Sequence, residues 1–139
     1  MAFKDLQEKA NRGTIVGIDL GTTYSLVAVV RDGRAVILPA PESRAAASVG
    51  GRLLPSAVGI GDGAHLIVGK EAKDQQKHYP RLTVSSIKRL MGLGAEEAGR
   101  VAGEFSCEIL IDDPKIARVR LIGKVYTPPE ISAMVLKEL

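Results

Sequence analysis

Two apolar, β-branched runs separated by a short polar break constrain this 139-residue chain more than any other feature. Residues 14–20 and 25–31 carry the runs and predict two strands, because β-branched side chains favour the pleated conformation. The break has the length of a hairpin loop, so the two strands should pair antiparallel. Both runs are almost entirely apolar, which predicts a sheet covered on both faces.

The polar break contains the groups that a phosphate site needs. Asp19 ends the first strand, and the next residues supply a glycine, two hydroxyls and a phenol: Gly21, Thr22, Thr23 and Tyr24. The glycine permits close backbone approach, and N–H groups in such a turn can form an anion-binding concavity. A carboxylate beside phosphate needs a bridging cation, so the pattern indicates a metal-bridged polyphosphate with Asp19 on the cation or its waters. A plain hairpin with an Asx-type turn is the alternative, and the sequence contains no Walker loop.

The middle of the chain alternates short predicted strands and helices. Asp32-Gly33 predicts a tight turn that leads into a third strand of the first sheet over 35–38. Further hairpins are predicted where apolar runs flank turn residues, over 57–60 with 65–68 and over 105–111 with 115–122. Helices are predicted over 70–79, over 85–91 with a serine N-cap, and over 95–103. Residues 1–13 are expected to be a leader, residues 39–52 a loop, and Gly123-Lys124 a turn that directs the chain away from the sheet.

The last predicted helix has the clearest start signal. Thr127 is the N-cap, Pro128 occupies the first helical position and Glu130 completes a capping box. Apolar residues share one face of this helix: Ile131, Met134, Val135 and Leu139. No stop signal follows, so we expect the helix to be cut by the end of the chain and its apolar stripe to be exposed.

Composition excludes several classes of protein. No run of 18 apolar residues exists, so no membrane span is predicted, and the N-terminus lacks an apolar signal segment, which favours the cytoplasm. The net charge is only +3, and the basic stretch 70–89 has no series of aromatic stacking platforms, since Tyr79 is its single aromatic residue, which argues against nucleic acid. Cys107 is the single cysteine and allows no internal disulfide; its place in a predicted strand favours burial over reactivity.

Lys88 is a second candidate for phosphate chemistry. It lies between Ile87 and Leu90 on a predicted helix that packs through its apolar residues. A lysine on such a helix can act as a fixed point charge toward phosphate. The alternative is that its side chain simply extends into solvent.

Four segments resemble the seventy-kilodalton heat-shock chaperones of the actin-like ATPase superfamily. Residues 17–25 (GIDLGTTYS) are similar to that family's first phosphate motif, and residues 85–92 (SSIKRLMG) to its lysine-bearing segment. Residues 52–56 (RLLPS) and 126–136 (YTPPEISAMVL) match two further stretches. The segments occur in the family's order and spacing, and they cover about residues 14–139.

The resemblance implies an α/β fold of the actin-like, ribonuclease H-like type. This chain would be part of lobe I of the nucleotide-binding domain, with 14–38 and 105–139 in the lower subdomain and 39–104 mostly in the upper one. The second phosphate motif, the adenosine-contacting segment and the peptide-binding domain of the family would lie beyond Leu139.

The resemblance also implies the chemistry. Gly21, Thr22, Thr23 and Tyr24 would bind the phosphates of ATP or ADP, Asp19 would lie near Mg²⁺ and its waters, and Lys88 would position the attacking water and stabilise the γ-phosphate. The family uses ATP hydrolysis to switch its affinity for unfolded client polypeptides, assisted by J-domain co-chaperones and nucleotide-exchange factors. This chain alone is expected to be inactive as an ATPase.

Two other functions stay open at the level of sequence. One is a non-catalytic module that binds partner proteins through its surface, and the other is another member of the superfamily, such as a sugar kinase. The segments around Lys88 and Thr127 argue against the kinase, since they resemble the chaperones alone. Leu53-Leu54, where two threonines are usual, leans toward the iron–sulfur-cluster assembly subgroup.

Overall fold

The computed structural model describes residues 15–41 and 51–139 of the chain. This part is mixed α/β, with ten strands, three α-helices and several 3₁₀ turns. The strands are β1 Val16–Leu20, β2 Tyr24–Arg31, β3 Arg34–Ile37, β4 Leu54–Pro55, β5 Ala57–Ile60, β6 Leu66–Val68, β7 Thr83–Ser85, β8 Glu108–Leu110, β9 Arg118–Leu121 and β10 Lys124–Tyr126. The helices are α1 Lys70–Gln75, α2 Ala95–Val101 and α3 Pro128–Lys137. The predicted leader, 1–13, and the central part of the predicted loop, 42–50, lie outside the described residues.

The predicted meander at the start of the chain is confirmed. Strands β1, β2 and β3 pair antiparallel in that order, with Ile18 opposite Val27 and Val29 opposite Val36. Strand β4 adds to the same edge of β2 as β3, but at the opposite end, where Ser25 faces Leu54. The first sheet therefore has four strands, and its last one comes from a distant part of the chain.

The expectation that this sheet is covered on both faces is wrong for the described residues. Val29 is buried, but Ile18 is 52% exposed and Val30 is 73% exposed. Ile18 pairs with Val27 and therefore lies on the same face of the sheet as Val29. Val30 is the next residue along the strand, so it points to the opposite face. Each face thus carries an exposed apolar side chain. An apolar run predicts that other elements pack on both faces of the strand. It does not show whether those elements lie among the residues described.

The other two sheets and helix α3 enclose one hydrophobic core. Strand β5 is the centre of the order β6-β5-β7, and β9 is the centre of β10-β9-β8. Inward residues of both sheets meet the helices in a single buried cluster that includes Leu54, Val58, Val84, Ile87, Leu90, Val119, Leu121, Ile131 and Val135. Segments far apart in sequence thus depend on the same core for their position.

Helix α3 begins as predicted but packs differently. The capping box forms, because the Glu130 carboxylate accepts the Thr127 backbone N–H at 2.7 Å while the Thr127 hydroxyl accepts the Glu130 N–H at 3.4 Å. The expected exposed stripe is wrong: Ile131 and Val135 are buried in the core. The helix packs on β5 and on the turn Ile87–Leu90, and these elements bury the apolar face that we expected to be exposed.

No helix in the described residues is long and apolar enough to cross a bilayer.

Two predicted connections differ from the structure. The predicted helix over 85–91 is a single 3₁₀ turn, Ile87–Leu90, and Ser86 precedes it in the left-handed region (φ 58°) without a side-chain cap. Gly123-Lys124 does not direct the chain away: Ile122-Gly123 forms a hairpin loop that leads into β10. That hairpin was missed because β-branched isoleucine is unfavourable at positive φ, so the pair is not recognisable as a turn.

The turns Asp32-Gly33 and Ile122-Gly123 have the same backbone geometry. Both residues of each loop have positive φ: 50° and 72° in the first, 42° and 71° in the second. Positive φ at both central residues defines the type I′ turn, which matches the twist of the strands that it joins. Aspartate tolerates this conformation, whereas isoleucine is strained in it.

We predict that Ile122→Asn stabilises the chain. Ile122 is 53% exposed, so the substitution loses little burial and relieves a strained backbone position, with a gain of about 1 kcal/mol in the free energy of unfolding. Urea denaturation measures this gain. The matched control is Asp32→Ile in the equivalent turn, which should lose a similar amount; an unchanged or lower stability of Ile122→Asn would contradict the prediction.

We predict that the chain binds a hydrophobic dye or self-associates through its first sheet. The apolar surface left exposed around Ile18 and Val30 is of the kind that promotes association. The double variant Ile18→Thr/Val30→Thr should lower dye fluorescence, while the control Leu136→Gln, at an exposed position of α3, should not. A monomeric wild-type chain that leaves the dye silent at high concentration would refute this assignment.

Candidate functional site

The polar groups predicted for the first phosphate site lie together at one end of the β1–β2 hairpin. Asp19 is on β1, opposite Leu26, and its side chain is exposed. The loop that follows has Gly21 and Thr22 half-buried, with Thr23 and Tyr24 exposed. The carboxylate, the hydroxyls and the loop backbone are therefore all accessible from solvent, as a site for a charged ligand requires.

Gly21 is required by the close approach of the two ends of this loop. A Cβ atom at this position would lie 2.1 Å from the backbone carbonyl oxygen of Tyr24, far inside van der Waals contact. Only glycine lets the chain return on itself this tightly. The loop is thus compact because of its backbone, and its hydroxyls extend from a defined turn.

A buried connection joins the loop to the strand that begins at Leu54. The backbone N–H of Ser56 donates to the carbonyl oxygen of Thr23 at 2.9 Å. The hydroxyls of Ser25 and Ser56 also lie 2.9 Å apart, and both side chains are buried. Sequence reasoning gave neither serine a role; the available signal was that each ends a segment that resembles the family, residues 17–25 and 52–56.

The next strand, β5, leads from this connection to the Lys88 segment. Ala57, the residue after Ser56, pairs with Ser85 where β5 meets β7. The turn that carries Lys88 follows Ser85 after one residue, Ser86, and is anchored by Ile87 and Leu90, both buried. The structure thereby links the two sequence-predicted parts of the site through one continuous run of paired strands.

Lys88 and its neighbour Arg89 have different environments. Arg89 pairs with Glu104 at 2.5 Å and lies 5.8 Å from the centre of the Phe105 ring. Lys88 is exposed and forms no ion pair within the described residues. The lysine is therefore available to a ligand or to water, and its role in phosphate chemistry stays a prediction.

The described residues contain no cluster of three or more side chains of the metal-binding types. Within the β1–β2 hairpin, Asp19 is the carboxylate next to the loop. Mg²⁺ commonly takes one or two carboxylates together with phosphate oxygens and water. The donor set thus fits a cation that arrives with a polyphosphate.

Cys107 packs in the hydrophobic core. The residue is buried, and burial raises the pKa of its thiol to about 11 because the thiolate would be poorly solvated. A thiol with that pKa is protonated at neutral pH and unreactive. The expectation that Cys107 serves packing is confirmed.

Fold and loop together define a mixed α/β protein with a tight, glycine-dependent turn that is accessible from solvent. The family model described as "Hsp70 protein" matches residues 15–139, so this chain belongs to the Hsp70 family. The chain is also 41% identical over 124 residues to proteins named "Chaperone protein DnaK" from two strains of Thermus thermophilus. The resemblance expected from the four sequence segments is confirmed.

The matched region is most of this chain but a small part of those relatives. It covers 89% of the chain and 19% of each DnaK protein. The chain therefore spans about a fifth of the length of the curated relatives that it matches. Membership in a chaperone family is established, and the activity of the whole relatives passes to this chain only as a proposal.

We predict that Gly21→Ala destabilises the chain by about 1–3 kcal/mol, because the added methyl group cannot avoid the Tyr24 carbonyl without a backbone shift. Gly17→Ala is the matched control: it lies in the same hairpin, and its nearest neighbour would be 3.9 Å away. That control should be neutral or slightly stabilising. Equal stabilities of the two variants in urea would show that the tight loop is not needed.

Proposed function

We propose that this chain forms one wall of the ATP site of an Hsp70-type chaperone. The proposal places it in lobe I of an actin-like nucleotide-binding domain and in the cytoplasm. The observation that carries it is the linkage of the glycine loop to the Lys88 turn through Ser56, Ala57 and Ser85. This linkage puts both groups that resemble the family's phosphate-contacting segments on one strand-paired frame.

Each candidate residue has a defined task in this proposal. Backbone N–H groups of the loop from Gly21 to Tyr24, with the hydroxyls of Thr22 and Thr23, bind the phosphates of ATP or ADP. Asp19 accepts hydrogen bonds from water around Mg²⁺ or contacts the ion itself. Magnesium, when bound, neutralises part of the phosphate charge.

Lys88 contributes a positive charge that matters most as the terminal phosphate departs. Phosphoryl transfer depends on positioning and on electrostatic stabilisation more than on covalent chemistry. Burial of Ile87 and Leu90 fixes the backbone from which the Lys88 side chain extends. The flexible four-carbon stem then lets the ammonium group reach a water or a phosphate oxygen.

The remaining parts of the cycle follow from the family. Hydrolysis would switch the affinity of a peptide-binding domain for unfolded client polypeptides, with J-domain co-chaperones and nucleotide-exchange factors as partners. We propose these for the assembly in which this wall operates. The division of the chain into a lower subdomain, 14–38 with 105–139, and an upper subdomain, mostly 39–104, is part of the same proposal.

A second candidate function is a non-catalytic module that binds a partner protein. The exposed apolar residues of the first sheet, Ile18 and Val30, favour it, because such surfaces mark interaction sites. Calorimetry with Mg·ATP, on Thermus thermophilus DnaK in which this chain replaces the matched 124 residues, separates the two. Heat of binding that depends on Gly21 and Thr22 supports the nucleotide site, and its absence leaves the partner-binding module.

We predict that Lys88→Ala lowers ATP hydrolysis by about 10²–10³-fold while ATP binding is largely retained. The assay uses a chimera in which this chain replaces the matched 124 residues of Thermus thermophilus DnaK. Single-turnover rates and nucleotide affinity are measured side by side. Lys124→Ala, an exposed lysine on β10, is the control and should hydrolyse at the rate of the unmodified chimera; a Lys88→Ala rate near that value would refute the role of Lys88.

We predict that the 139-residue chain by itself does not turn over ATP and binds it weakly. A nucleotide held against one wall stays in water, where each charge contact is screened. Positioning lowers a barrier by roughly 7–11 kcal/mol only when the reactants are enclosed and aligned. Phosphate release by the purified chain, abolished by Lys88→Ala, would show that the site is complete without further walls.

A further inference from the structure

The buried hydroxyl pair of Ser25 and Ser56 is unusual in its surroundings. Ser25 lies near the start of β2 and Ser56 lies in the bend between β4 and β5, both beside apolar residues; Ser25 is completely buried and Ser56 is 4% exposed. Packing alone would favour alanine at such positions, because a buried hydroxyl must find a partner. The two hydroxyls satisfy each other across 31 positions of sequence, at 2.9 Å.

Ser56 is bonded to the loop at two points that flank Tyr24. Its backbone N–H holds the carbonyl of Thr23, and its hydroxyl meets that of Ser25. One bond could act as a pivot, whereas two bonds on either side of a residue restrict rotation of the loop. Strand pairing here is short, since β4 has only two residues, so these bonds carry much of the connection.

We propose that Ser25 and Ser56 are positioning residues, which hold the phosphate loop in register with the strand leading to Lys88. This inference rests on the proposed nucleotide site and adds a requirement to it. The serines do not touch phosphate themselves. They act through Thr23 and Tyr24, whose neighbours Gly21 and Thr22 complete the loop.

The test is a set of NMR titrations of the full chain with Mg·pyrophosphate and with Mg·ATP. Chemical shifts of the amides from Gly21 to Tyr24 report local affinity, and ¹⁵N order parameters of the same amides report loop rigidity without any ligand. The variants are Ser25→Ala, Ser56→Ala and the double substitution. Ser132→Ala is the matched control: it removes a buried hydroxyl from α3, where the partner is the Met91 sulfur at 3.7 Å.

We expect each single variant to weaken pyrophosphate binding by about threefold to tenfold and to lower the order parameters of the loop. The double variant should bind no more weakly than the weaker single one, because the hydroxyls act as a unit. The double variant should also be more stable to unfolding than either single variant, since no hydroxyl is left buried without a partner. Its affinity for pyrophosphate would then stay low while its stability recovers. Ser132→Ala should keep wild-type affinity.

Three results would overturn the positioning role. The first is that the single variants keep wild-type pyrophosphate affinity and loop order parameters. The second is that the losses of affinity in the two single variants multiply in the double variant. The third is that Ser132→Ala loses as much affinity as Ser25→Ala or Ser56→Ala. A wild-type chain whose loop amides shift with neither probe would refute the proposed nucleotide site. In that case the order parameters of the loop amides, which are measured without a ligand, would decide whether the two serines hold the loop rigid.

Discussion

The structure depends on the complete burial of seven consecutive residues, 54–60. Buried backbone must hydrogen-bond, so this stretch has to pair along its length. It does so with three different strands: β2 at its start, then β6 and β7 on either side of β5. Side chains of the same stretch, Leu54 and Val58 among them, fill the core beneath helix α3. One short segment therefore joins the hairpin, the middle sheet and the C-terminal helix.

This arrangement explains how a site can be assembled from weak local signals. The loop from Gly21 to Tyr24 is compact by itself, because of the close backbone approach at Gly21. The Lys88 turn is a single 3₁₀ turn and has no intrinsic stability of that kind. It is held by burial of Ile87 and Leu90 beneath helix α3, and by the Arg89–Glu104 pair, which is exposed and contributes little.

Individual elements show where sequence reasoning succeeds and where it stops. Asp32-Gly33 and the Thr127 capping box were predicted because both are local: the residues that form each feature are within three positions of one another. Ile122-Gly123 was missed because neighbouring strand pairing forces isoleucine into a conformation that it avoids alone. The stripe of α3 was correctly identified as apolar, but its cover comes from β5 and residues 87–90, which no local pattern connects to it.

The sequence by itself determined the hairpin strands, the polar loop with Asp19 and Gly21, and the start of the last helix, since each depends on residues close together in the chain. It also indicated the family, because four short motifs occur in order, and the comparisons confirmed this. Only the tertiary structure decided that Ser25 meets Ser56, that the apolar face of α3 is buried, and that the first sheet leaves Ile18 and Val30 open. These features depend on contacts between distant segments, and such contacts are chosen by the burial of the whole core.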